Sequence, residues 1–357
     1  MISLLLLHQM DFNNELVHWY QENKRDLPWR NTTDAYVIWL SEIILQQTRV
    51  EQGMPYFNRF LEQYPDVSSF AAASEDEILK LWQGLGYYSR GRNMLKTARL
   101  VQEAYNGQFP GTYDELIKLK GIGEYTASAI ASFSLNEAKA VVDGNVYRVI
   151  ARYLGIDEPI NSTKGKKIFQ QAANDLLNKQ NSGLHNQAMM ELGAVICKPK
   201  SPACGICPVR TGCFAFAHNA INTLPVKLNK VKVRERFLNY FLITDGHKVL
   251  INKRDQTDIW ANMYDLPLIE TTSLLPPDKL FAHPEVIEFF GSDLKIVEIS
   301  PVKKHVLTHQ RLYVRLVILQ NQPVKLKDQW FYTSAEELKK LAIPKIIFIF
   351  IKNIFNL

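Results

Sequence analysis

All four cysteines of the chain lie in one short segment, and this clustering constrains the fold more than any other feature of the sequence. They are Cys197, Cys204, Cys207 and Cys213, separated by six, two and five residues. A secreted protein held by disulfides would spread its cysteines along the chain, whereas a cluster in a large chain is typical of a metal site in a reducing compartment. Four unrelated buried cysteines would rarely fall so close together, so we predict a metal-binding loop over 197–213.

The spacing of the cysteines bears on the kind of metal centre. Four thiolates can bind a zinc ion or a [4Fe–4S] cluster. Structural zinc sites commonly use two cysteine pairs with two residues inside each pair, and only Cys204 and Cys207 have that spacing. The wider gaps fit a loop around a larger inorganic body, and Pro199, Pro202 and Pro208 stiffen it. The spacing therefore favours the [4Fe–4S] cluster.

The bulk composition is that of a globular chain with more than one domain. The chain has 357 residues, of which 46% are hydrophobic and 22% charged, and its formal net charge is +6. This mild positive excess permits nucleic-acid binding without requiring it. The apolar start at 2–7 lacks the preceding basic residue of a signal peptide, and the apolar tail is too short to cross a bilayer. We expect a cytoplasmic protein without a membrane partner.

The first part of the chain carries the pattern of helices. Apolar residues recur at helical spacing from residue 11 to about residue 220, and glycine and proline punctuate them. One helix is predicted over 36–45, with Thr33 or Asp34 as its N-cap. Further helices are predicted at 76–83, 89–105, 113–119, 125–134, 146–154, 164–180 and 185–196.

After the helical part, the sequence predicts a linker and then a second domain. Residues 222–236 combine Pro225 with five basic side chains and predict a linker, for which a solvated connector is favoured over a strap along DNA. From residue 237 onward, β-branched and aromatic runs between turn residues predict a separate α+β domain over 237–357. Its strands are predicted at 237–244, 248–253, 296–300 and 312–320, its helices at 284–290 and 334–341, and a buried terminal helix or strand after 345.

Residues 119–123 read Leu-Lys-Gly-Ile-Gly and lie between two predicted helices. Gly121 and Gly123 lack side-chain bulk, so the backbone can approach a ligand closely. The amides of this turn and of the following helix can then point at a phosphate. Taken alone, the motif fits a tight corner between two helices equally well.

The order of several motifs decides between these interpretations. They are Leu-Pro-Trp-Arg at 27–30, Ser-Glu-Ile-Ile-Leu-Gln-Gln-Thr-Arg-Val at 41–50, Trp-Gln-Gly-Leu-Gly-Tyr-Tyr-Ser-Arg at 82–90, the hairpin, Val-Asp-Gly-Asn-Val at 142–146, and the cysteines. In this set and order the chain resembles the endonuclease III superfamily of helix–hairpin–helix DNA glycosylases, and within it the MutY-type adenine glycosylases. The resemblance implies a multidomain fold. An all-α glycosylase region over 1–221, with a six-helix module and a [4Fe–4S] module, precedes the linker at 222–236 and an α+β MutT-like (Nudix) domain.

The resemblance also implies a chemistry. It implies a monofunctional DNA N-glycosylase that excises adenine opposite 8-oxoguanine or guanine, acting as a monomer on double-stranded DNA of the bacterial nucleoid. Bifunctional relatives carry a lysine where this chain has Tyr125, and tyrosine cannot form the Schiff base that leads to strand cleavage. Because Tyr125 replaces it, we expect little or no lyase activity; a role in placing the base or a water, or plain packing, stays open for Tyr125.

Two carboxylates suit the departure of a purine from deoxyribose. Apolar neighbours on its helix are expected to raise the pKa of Glu42, which by resemblance protonates adenine. By resemblance Asp143 stabilises the cationic sugar, directly or through a covalent intermediate, and Asn145 orients it. Outside these motifs, a solvated glutamate and a helix-capping aspartate would be the usual interpretations.

The adenine must leave the base stack before its glycosidic bond can be reached. By resemblance, one group of residues contacts the base opposite the adenine and another lines the adenine pocket. The first group is Gln47, Thr48, Leu85 and Tyr87, and the second is Arg25, Leu27 and Trp29. Core packing is an alternative role for Leu85 and Trp29.

The C-terminal domain resembles the MutT-like domain that recognises 8-oxoguanine in this family. The segment Trp260-Ala-Asn-Met-Tyr-Asp-Leu-Pro267 matches its tryptophan-to-proline stretch, but the glutamate-rich hydrolase signature is missing, so we expect no nucleotide hydrolysis. Residues 305–309 align with a Phe-Ser-His loop and imply contacts from Thr308 and His309, with Leu307 in place of the aromatic. A buried structural histidine is the alternative. Rival functions are excision of oxidised pyrimidines, DNA-damage binding without catalysis, and zinc-dependent regulation.

Overall fold

The computed structural model describes residues 2–228, 233–244 and 247–355. By its contacts the chain divides into two compact units. In the described residues, unit 1 comprises 2–72 and 93–228, and unit 2 comprises 73–92, 233–244 and 247–355. The boundaries proposed from the sequence assign 73–92 to the helical region, whereas by contacts this segment belongs with the C-terminal part. The predicted linker lies partly outside the described residues, because 229–232 are not among them.

The described part of the chain up to residue 228 is helical throughout, as predicted. The helices are α1 (Ile2–Asn23), α2 (Ala35–Leu45), α3 (Val50–Gln63), α4 (Val67–Ala72), α5 (Glu75–Leu81), α6 (Ser89–Tyr105), α7 (Tyr113–Leu116), α8 (Glu124–Leu135), α9 (Gly144–Leu154), α10 (Thr163–Leu176), α11 (Ser182–Val195) and α12 (Phe214–Ala217). Short 3₁₀ turns lie at Pro28–Arg30 and Cys204–Ile206. No helix in these described ranges is long and apolar enough to span a membrane.

In the first part of the chain, two predicted helices end three or more residues earlier in the structure than their apolar pattern suggested. The helix predicted over 113–119 ends at Leu116, and the one predicted over 164–180 ends at Leu176. The residue after the second helix, Leu177, has extended backbone with ψ of 129° and is buried. Its apolar side chain therefore prolonged the pattern beyond the hydrogen-bonded helix.

Unit 1 is built around helices that are buried on several sides. α8 packs against α2 and α11, and α11 packs in turn against α1 and α9. The small side chains of α8 at Ala127, Ser128, Ala129 and Ala131 are fully or almost fully buried, which allows these helices to approach closely. One apolar cluster of this unit joins residues of α1, α9, α10 and α11, and the cysteine loop packs against it.

Unit 2 contains an eight-stranded mixed sheet, and the predicted α+β class is confirmed. Its strands are β1 (Arg234–Thr244), β2 (Lys248–Lys253), β3 (Tyr264–Asp265), β4 (Leu268–Thr271), β5 (Ile296–Ile299), β6 (Lys303–Val306), β7 (Gln310–Gln320) and β8 (Trp330–Ser334). The central pair, β1 and β7, is parallel, and Leu238 lies opposite Val314. The other strands pair antiparallel, in the order β3-β2-β1-β7-β5 with β4, β6 and β8 attached to β1, β7 and β2.

Helices cover both faces of this sheet. Alternate residues of β1 belong to two apolar clusters, because successive side chains of a strand point to opposite faces. Tyr240 shares the first cluster with Ile347 of α16 (Lys345–Phe355), and Phe241 shares the second with Phe290 of α14 (Pro284–Phe290). The predicted terminal element is therefore a helix. Two shorter helices complete the unit: α13 (Pro277–Phe281) and α15 (Ala335–Leu338).

Candidate active site

A buried carboxyl group and a tyrosine hydroxyl meet inside unit 1. Glu42 lies on α2, whose N-cap Asp34 accepts a hydrogen bond from the amide of Tyr36 at 2.8 Å. Only 6% of Glu42 is exposed, and the Tyr125 hydroxyl on α8 donates to its Oε2. Burial raises the pKa of Glu42 to about 7, although the bond from Tyr125 partly opposes this, and the nearby Asp143 raises it further. Near neutral pH, a large fraction of Glu42 therefore carries a proton.

Asp143 caps α9, and its carboxylate is held on both oxygens. Oδ1 accepts from the backbone amides of Asn145 at 2.9 Å and Val146 at 2.8 Å, while Oδ2 accepts from the Asn145 side-chain amide at 2.8 Å. Burial raises the pKa of Asp143, and these three hydrogen bonds oppose the rise. The arrangement fixes the direction of the carboxylate, because rotation would break at least one of these bonds.

A buried arginine connects this cap to the cysteine loop. Arg148 donates from Nη2 to Asn145 Oδ1 at 2.8 Å and to the Gly193 carbonyl at 2.7 Å. Its Nε donates to the Cys197 carbonyl at 2.6 Å. Asn145 and the first cysteine are therefore held by one guanidinium group.

The cysteine loop brings four thiols into one electrostatic environment. Burial raises the pKa of the Cys207 thiol to about 11, and Cys197, Cys213 and Cys204 raise it further because each would carry negative charge as a thiolate. Arg152 donates from Nη1 to the sulfur of Cys197 at 3.4 Å. Burial also raises the pKa of the Cys213 thiol. Four neighbouring thiols match the donor set of an iron–sulfur cluster. Among the residues that the structure describes, no three His, Cys, Asp or Glu side chains form a group that could hold a single metal ion.

The glycine hairpin rests on α6. Gly121 has a left-handed backbone with φ of +87°, and a Cβ there would lie 2.8 Å from the Cβ of Asn93. The buried Thr97 donates its hydroxyl to the Lys120 carbonyl. Gly123 is the N-cap of α8, and a Cβ there would meet nothing within 4 Å. The hairpin therefore needs glycine at 121 for packing and leaves open space at 123.

The predicted adenine-pocket residues lie on and beside the first 3₁₀ turn. Leu27 and Trp29 are buried, and Trp29 packs edge-on against Phe57 with 5.0 Å between ring centroids. Arg25 makes a bidentate ion pair with Glu191 of α11, at 2.8 and 2.7 Å. Burial alone would raise the pKa of Glu191, but Arg25 and Arg30 lower it to about 2.

Gln47 and Thr48 follow the C-terminus of α2. Gln47 has a left-handed backbone with φ of +57°, and the Thr48 hydroxyl donates to the Gln46 carbonyl at 3.3 Å. The Gln46 amide reaches α8 and donates to the hydroxyl of Thr126 at 3.3 Å. This turn therefore adjoins the two helices that carry Glu42 and Tyr125.

Four predicted lesion contacts line one cavity of unit 2. Leu85, Tyr87, Thr308 and His309 belong to the lining of this cavity of about 620 Å³. The hydroxyls of Tyr87 and Thr308 are hydrogen-bonded to each other. Tyr87 is 44% exposed, whereas Leu85 is only 7% exposed and is packed in the structure. The structure thus joins a turn of 73–92 to the loop between β6 and β7.

Three family models match successive parts of the chain. Residues 40–179 match the HhH-GPD superfamily of base excision DNA repair proteins, 197–213 the iron–sulfur binding domain of endonuclease III, and 239–353 the NUDIX domain. The adenine DNA glycosylase of Buchnera aphidicola subsp. Baizongia pistaciae is 33% identical over 85% of this chain and 84% of its own length. The chain belongs to the adenine DNA glycosylase family. The family member of Schizosaccharomyces pombe is 30% identical over 94% of this chain and 87% of its own length.

A solved structure of the glycosylase superfamily agrees with this assignment. A thermostable thymine-DNA glycosylase is 27% identical and covers 59% of this chain and 97% of its own, with a TM-score of 0.54. As a member of the adenine DNA glycosylase family, the chain is an enzyme of base excision repair that acts on DNA. Its cysteine loop is an iron–sulfur binding domain. The predicted family, fold and enzyme class are confirmed.

The structure brings eight of the predicted site residues of this glycosylase into two groups. Glu42, Tyr125, Asp143 and Asn145 surround one site in unit 1, and the lesion-contact residues 85, 87, 308 and 309 surround another in unit 2. Two buried charged neighbours of the site, Glu191 and Arg148, were missed. Glu191 is the single charged residue of α11, and Arg148 lies between apolar residues on α9, a signal that could have marked them as buried and paired.

Proposed function

We propose that this glycosylase excises adenine opposite 8-oxoguanine or guanine, with Glu42 as general acid and Asp143 as the group that stabilises the sugar cation. The observation that carries the proposal is the pair of carboxyls with different surroundings. Burial raises the pKa of Glu42 to about 7. Burial raises the pKa of Asp143 as well, but Asp143 accepts three N–H bonds that favour its anionic form and oppose this rise. One group can therefore give a proton while the other keeps its charge.

Adenine is a poor leaving group as an anion, so a proton must reach the purine as the glycosidic bond breaks. In our proposal Glu42 supplies this proton. The positive charge that develops on the deoxyribose is then stabilised by the carboxylate of Asp143. The absence of a lysine at Tyr125 supports base removal with little or no lyase activity, since no amine is offered to C1′ from that position.

Recognition of the opposite base is proposed for Gln47, Thr48, Leu85, Tyr87, Thr308 and His309. Hydroxyl, amide and imidazole groups can distinguish bases by hydrogen bonds to their edges. An exposed tyrosine can also enter the stack as a wedge. The contact between Tyr87 and Thr308 supports a shared role for these two hydroxyls. In this proposal the hairpin glycines, Gly121 and Gly123, bring backbone amides to the DNA phosphates.

The cofactor of this proposal is a [4Fe–4S] cluster. Cys197, Cys204, Cys207 and Cys213 would hold it, and the bound cluster would supply a covalent crosslink of the loop. Arg148 donates to the Cys197 carbonyl and Arg152 to the Cys197 sulfur, and together they tie the loop to α9. We also propose a monomer that works on nucleoid DNA in the cytoplasm.

Single-turnover cleavage of synthetic duplexes tests the proposal. The duplexes carry adenine opposite 8-oxoguanine, adenine opposite guanine, or thymine glycol, and Glu42→Gln and Asp143→Asn are compared with wild type. Both variants are expected to lose about a hundredfold or more in rate of adenine release. Asparagine retains the N-cap at 143, so a loss there reflects the charge rather than the helix.

The matched control is Asp34→Asn, which preserves the cap of α2 and leaves the site intact. No adenine release by the wild type would contradict the proposed substrate. Undiminished release by both variants would contradict the proposed mechanism, and efficient strand cleavage without added base would contradict the absence of lyase activity.

A further inference from the structure

The turn that carries Tyr87 has an unusual backbone. Gly84 and Gly86 adopt φ values of +103° and +77°, and Tyr87 itself has φ of +49°. Non-glycine residues seldom adopt the left-handed region, because their Cβ approaches the backbone carbonyl. Something outside the backbone must therefore hold Tyr87 in this conformation.

Two side chains donate hydrogen bonds to the same carbonyl oxygen of the turn. The carbonyl of Gly86 accepts hydrogen bonds from Trp82 Nε1 at 3.0 Å and from Arg90 Nη2 at 3.2 Å. The Arg90 guanidinium also lies over two rings, with its carbon 5.1 Å from the Trp82 centroid and 5.7 Å from the Tyr87 centroid. Arg90 thus contacts both the backbone before Tyr87 and the ring of Tyr87.

The position of Arg90 is an unfavourable one for a cation. It lies in the first turn of α6, where the helix dipole disfavours positive charge, and that turn contains no acidic residue. Burial lowers the pKa of Arg90 to about 10. A planar guanidinium can offset these costs by stacking on a ring while it donates to a carbonyl, which an aliphatic side chain cannot do.

We propose that Arg90 is a positioning residue that holds Tyr87 where its hydroxyl meets Thr308, and that it thereby sets the preference of the enzyme for 8-oxoguanine over guanine opposite adenine. The inference rests on the proposed function, in which Tyr87 and Thr308 contact the opposite base. Arg90 is not among the residues that line the cavity, and in this proposal it acts through Tyr87.

The chain offers a closely matched control. Arg59 on α3 lies over the ring of Tyr56, three residues before it, and donates to the carbonyl of Pro55, four residues before it. Arg90 has the same relation to Tyr87 and Gly86. Arg59→Met therefore removes the same pair of interactions from a helix surface outside the site.

The experiment uses the full chain with its cluster. Arg90→Met and Arg90→Lys are compared with Arg59→Met by hydrogen–deuterium exchange of the amides at 86–88 and by single-turnover rates opposite 8-oxoguanine and opposite guanine. Arg90→Met is expected to speed exchange in the turn and to reduce the ratio of the two rates by about tenfold, the effect of a moderate coupling between side chains. Arg90→Lys is expected to reduce the ratio less, and Arg59→Met is expected to change neither readout.

A double-variant cycle with Tyr87→Ala decides whether Arg90 acts through Tyr87. Once Tyr87 is removed, Arg90→Met should cause no further loss of the rate ratio. Independent, additive losses would overturn the proposal, as would unchanged exchange at 86–88 or an equal loss of rate on both substrates. A wild type without any preference for 8-oxoguanine would refute the proposed lesion contacts and the specificity role together, while the exchange measurement would still report whether Arg90 holds the turn.

Discussion

The surroundings of Glu42 set the pKa of its carboxyl group. Its carboxyl is buried on an apolar helix beside a second carboxyl, and both features keep its proton bound near neutral pH. The Tyr125 hydroxyl works in the opposite direction, because a hydrogen bond to a carboxylate stabilises the charged form. The balance between burial and this bond therefore tunes the acid.

The rate of adenine release is expected to fall as the pH rises through the pKa of Glu42, about 7, because a general acid must carry the proton it donates. Above that pH the single-turnover rate should fall by about tenfold per unit. Tyr125→Phe removes the bond that lowers this pKa and should therefore move the alkaline limb of the pH–rate profile to higher pH. The control is Tyr36→Phe, which removes a hydroxyl that donates to the Tyr64 carbonyl at 2.5 Å and should leave the alkaline limb in place. An unmoved limb in Tyr125→Phe would contradict this account.

The same carboxyl makes folding stability depend on pH. The pKa of Glu42 is about 7 in the folded chain and 4.5 in the reference state, so the folded protein binds the proton more tightly. The stabilising contribution is complete below pH 4.5 and is lost as the pH rises through 7. Glu42→Gln should therefore be more stable than wild type at pH 8, by on the order of 1–3 kcal/mol, and little different at pH 4. Urea unfolding at both pH values measures this, and an equal difference at the two pH values would exclude it.

Helix α9 connects the carboxylate of Asp143 to the cysteine loop in unit 1. Its N-cap is Asp143, one turn later Arg148 reaches the Cys197 carbonyl, and a further turn on Arg152 reaches the Cys197 sulfur. The spacing of four residues between the arginines places both on one face of the helix. We therefore expect a shift of the cysteine loop to act through Arg148 on Asn145, which donates to Asp143.

Arg148→Gln is expected to weaken both ends of this link. A buried, charge-assisted hydrogen bond contributes about 1.5–3 kcal/mol, and the variant loses several. We expect slower adenine release, by about tenfold or more, together with lower iron content per chain. Rates and visible absorption measure the two effects, and Arg99→Gln on α6, which loses an arginine bond to the Ala71 carbonyl, is the control. Loss of rate with full iron content and unchanged melting would show that the link to the loop is dispensable.

Element boundaries were predictable where local chemistry marks them. The predicted bounds of α6, β2 and α14 agree with the structure, because turn residues, prolines or glycines flank them. Strands such as β3 and β6 were missed, since they have only two and four residues, too few for a period to emerge. Motif order predicted the carboxyl pair, whereas the pairing of Glu191 with Arg25 spans 166 residues and has no local signature.

At the scale of the whole molecule, each unit has apolar clusters of its own. Leu192 is fully buried in the cluster against which the cysteine loop packs, and Ile347 is fully buried beneath the sheet of unit 2. Helix α6 runs from one unit into the other, because the boundary falls between residues 92 and 93. Within unit 2, the segment 73–92 is bonded to the C-terminal residues through Arg92, which donates to the Ala261 carbonyl at 2.9 Å, and through Tyr264, which donates to Asp76 at 3.0 Å.

Because each unit has its own apolar clusters, we expect a core substitution to destabilise mainly the unit that contains it. Leu192→Ala and Ile347→Ala each remove a buried aliphatic side chain and should cost about 2–5 kcal/mol in the unit that contains it. Leu192→Ala should lower the temperature at which the iron chromophore is lost, and Ile347→Ala should leave that temperature unchanged while weakening discrimination between 8-oxoguanine and guanine. Calorimetry, followed in parallel by visible absorption, distinguishes the two. If Ile347→Ala releases iron at the same lowered temperature as Leu192→Ala, the two units unfold together and the prediction of separable losses is wrong.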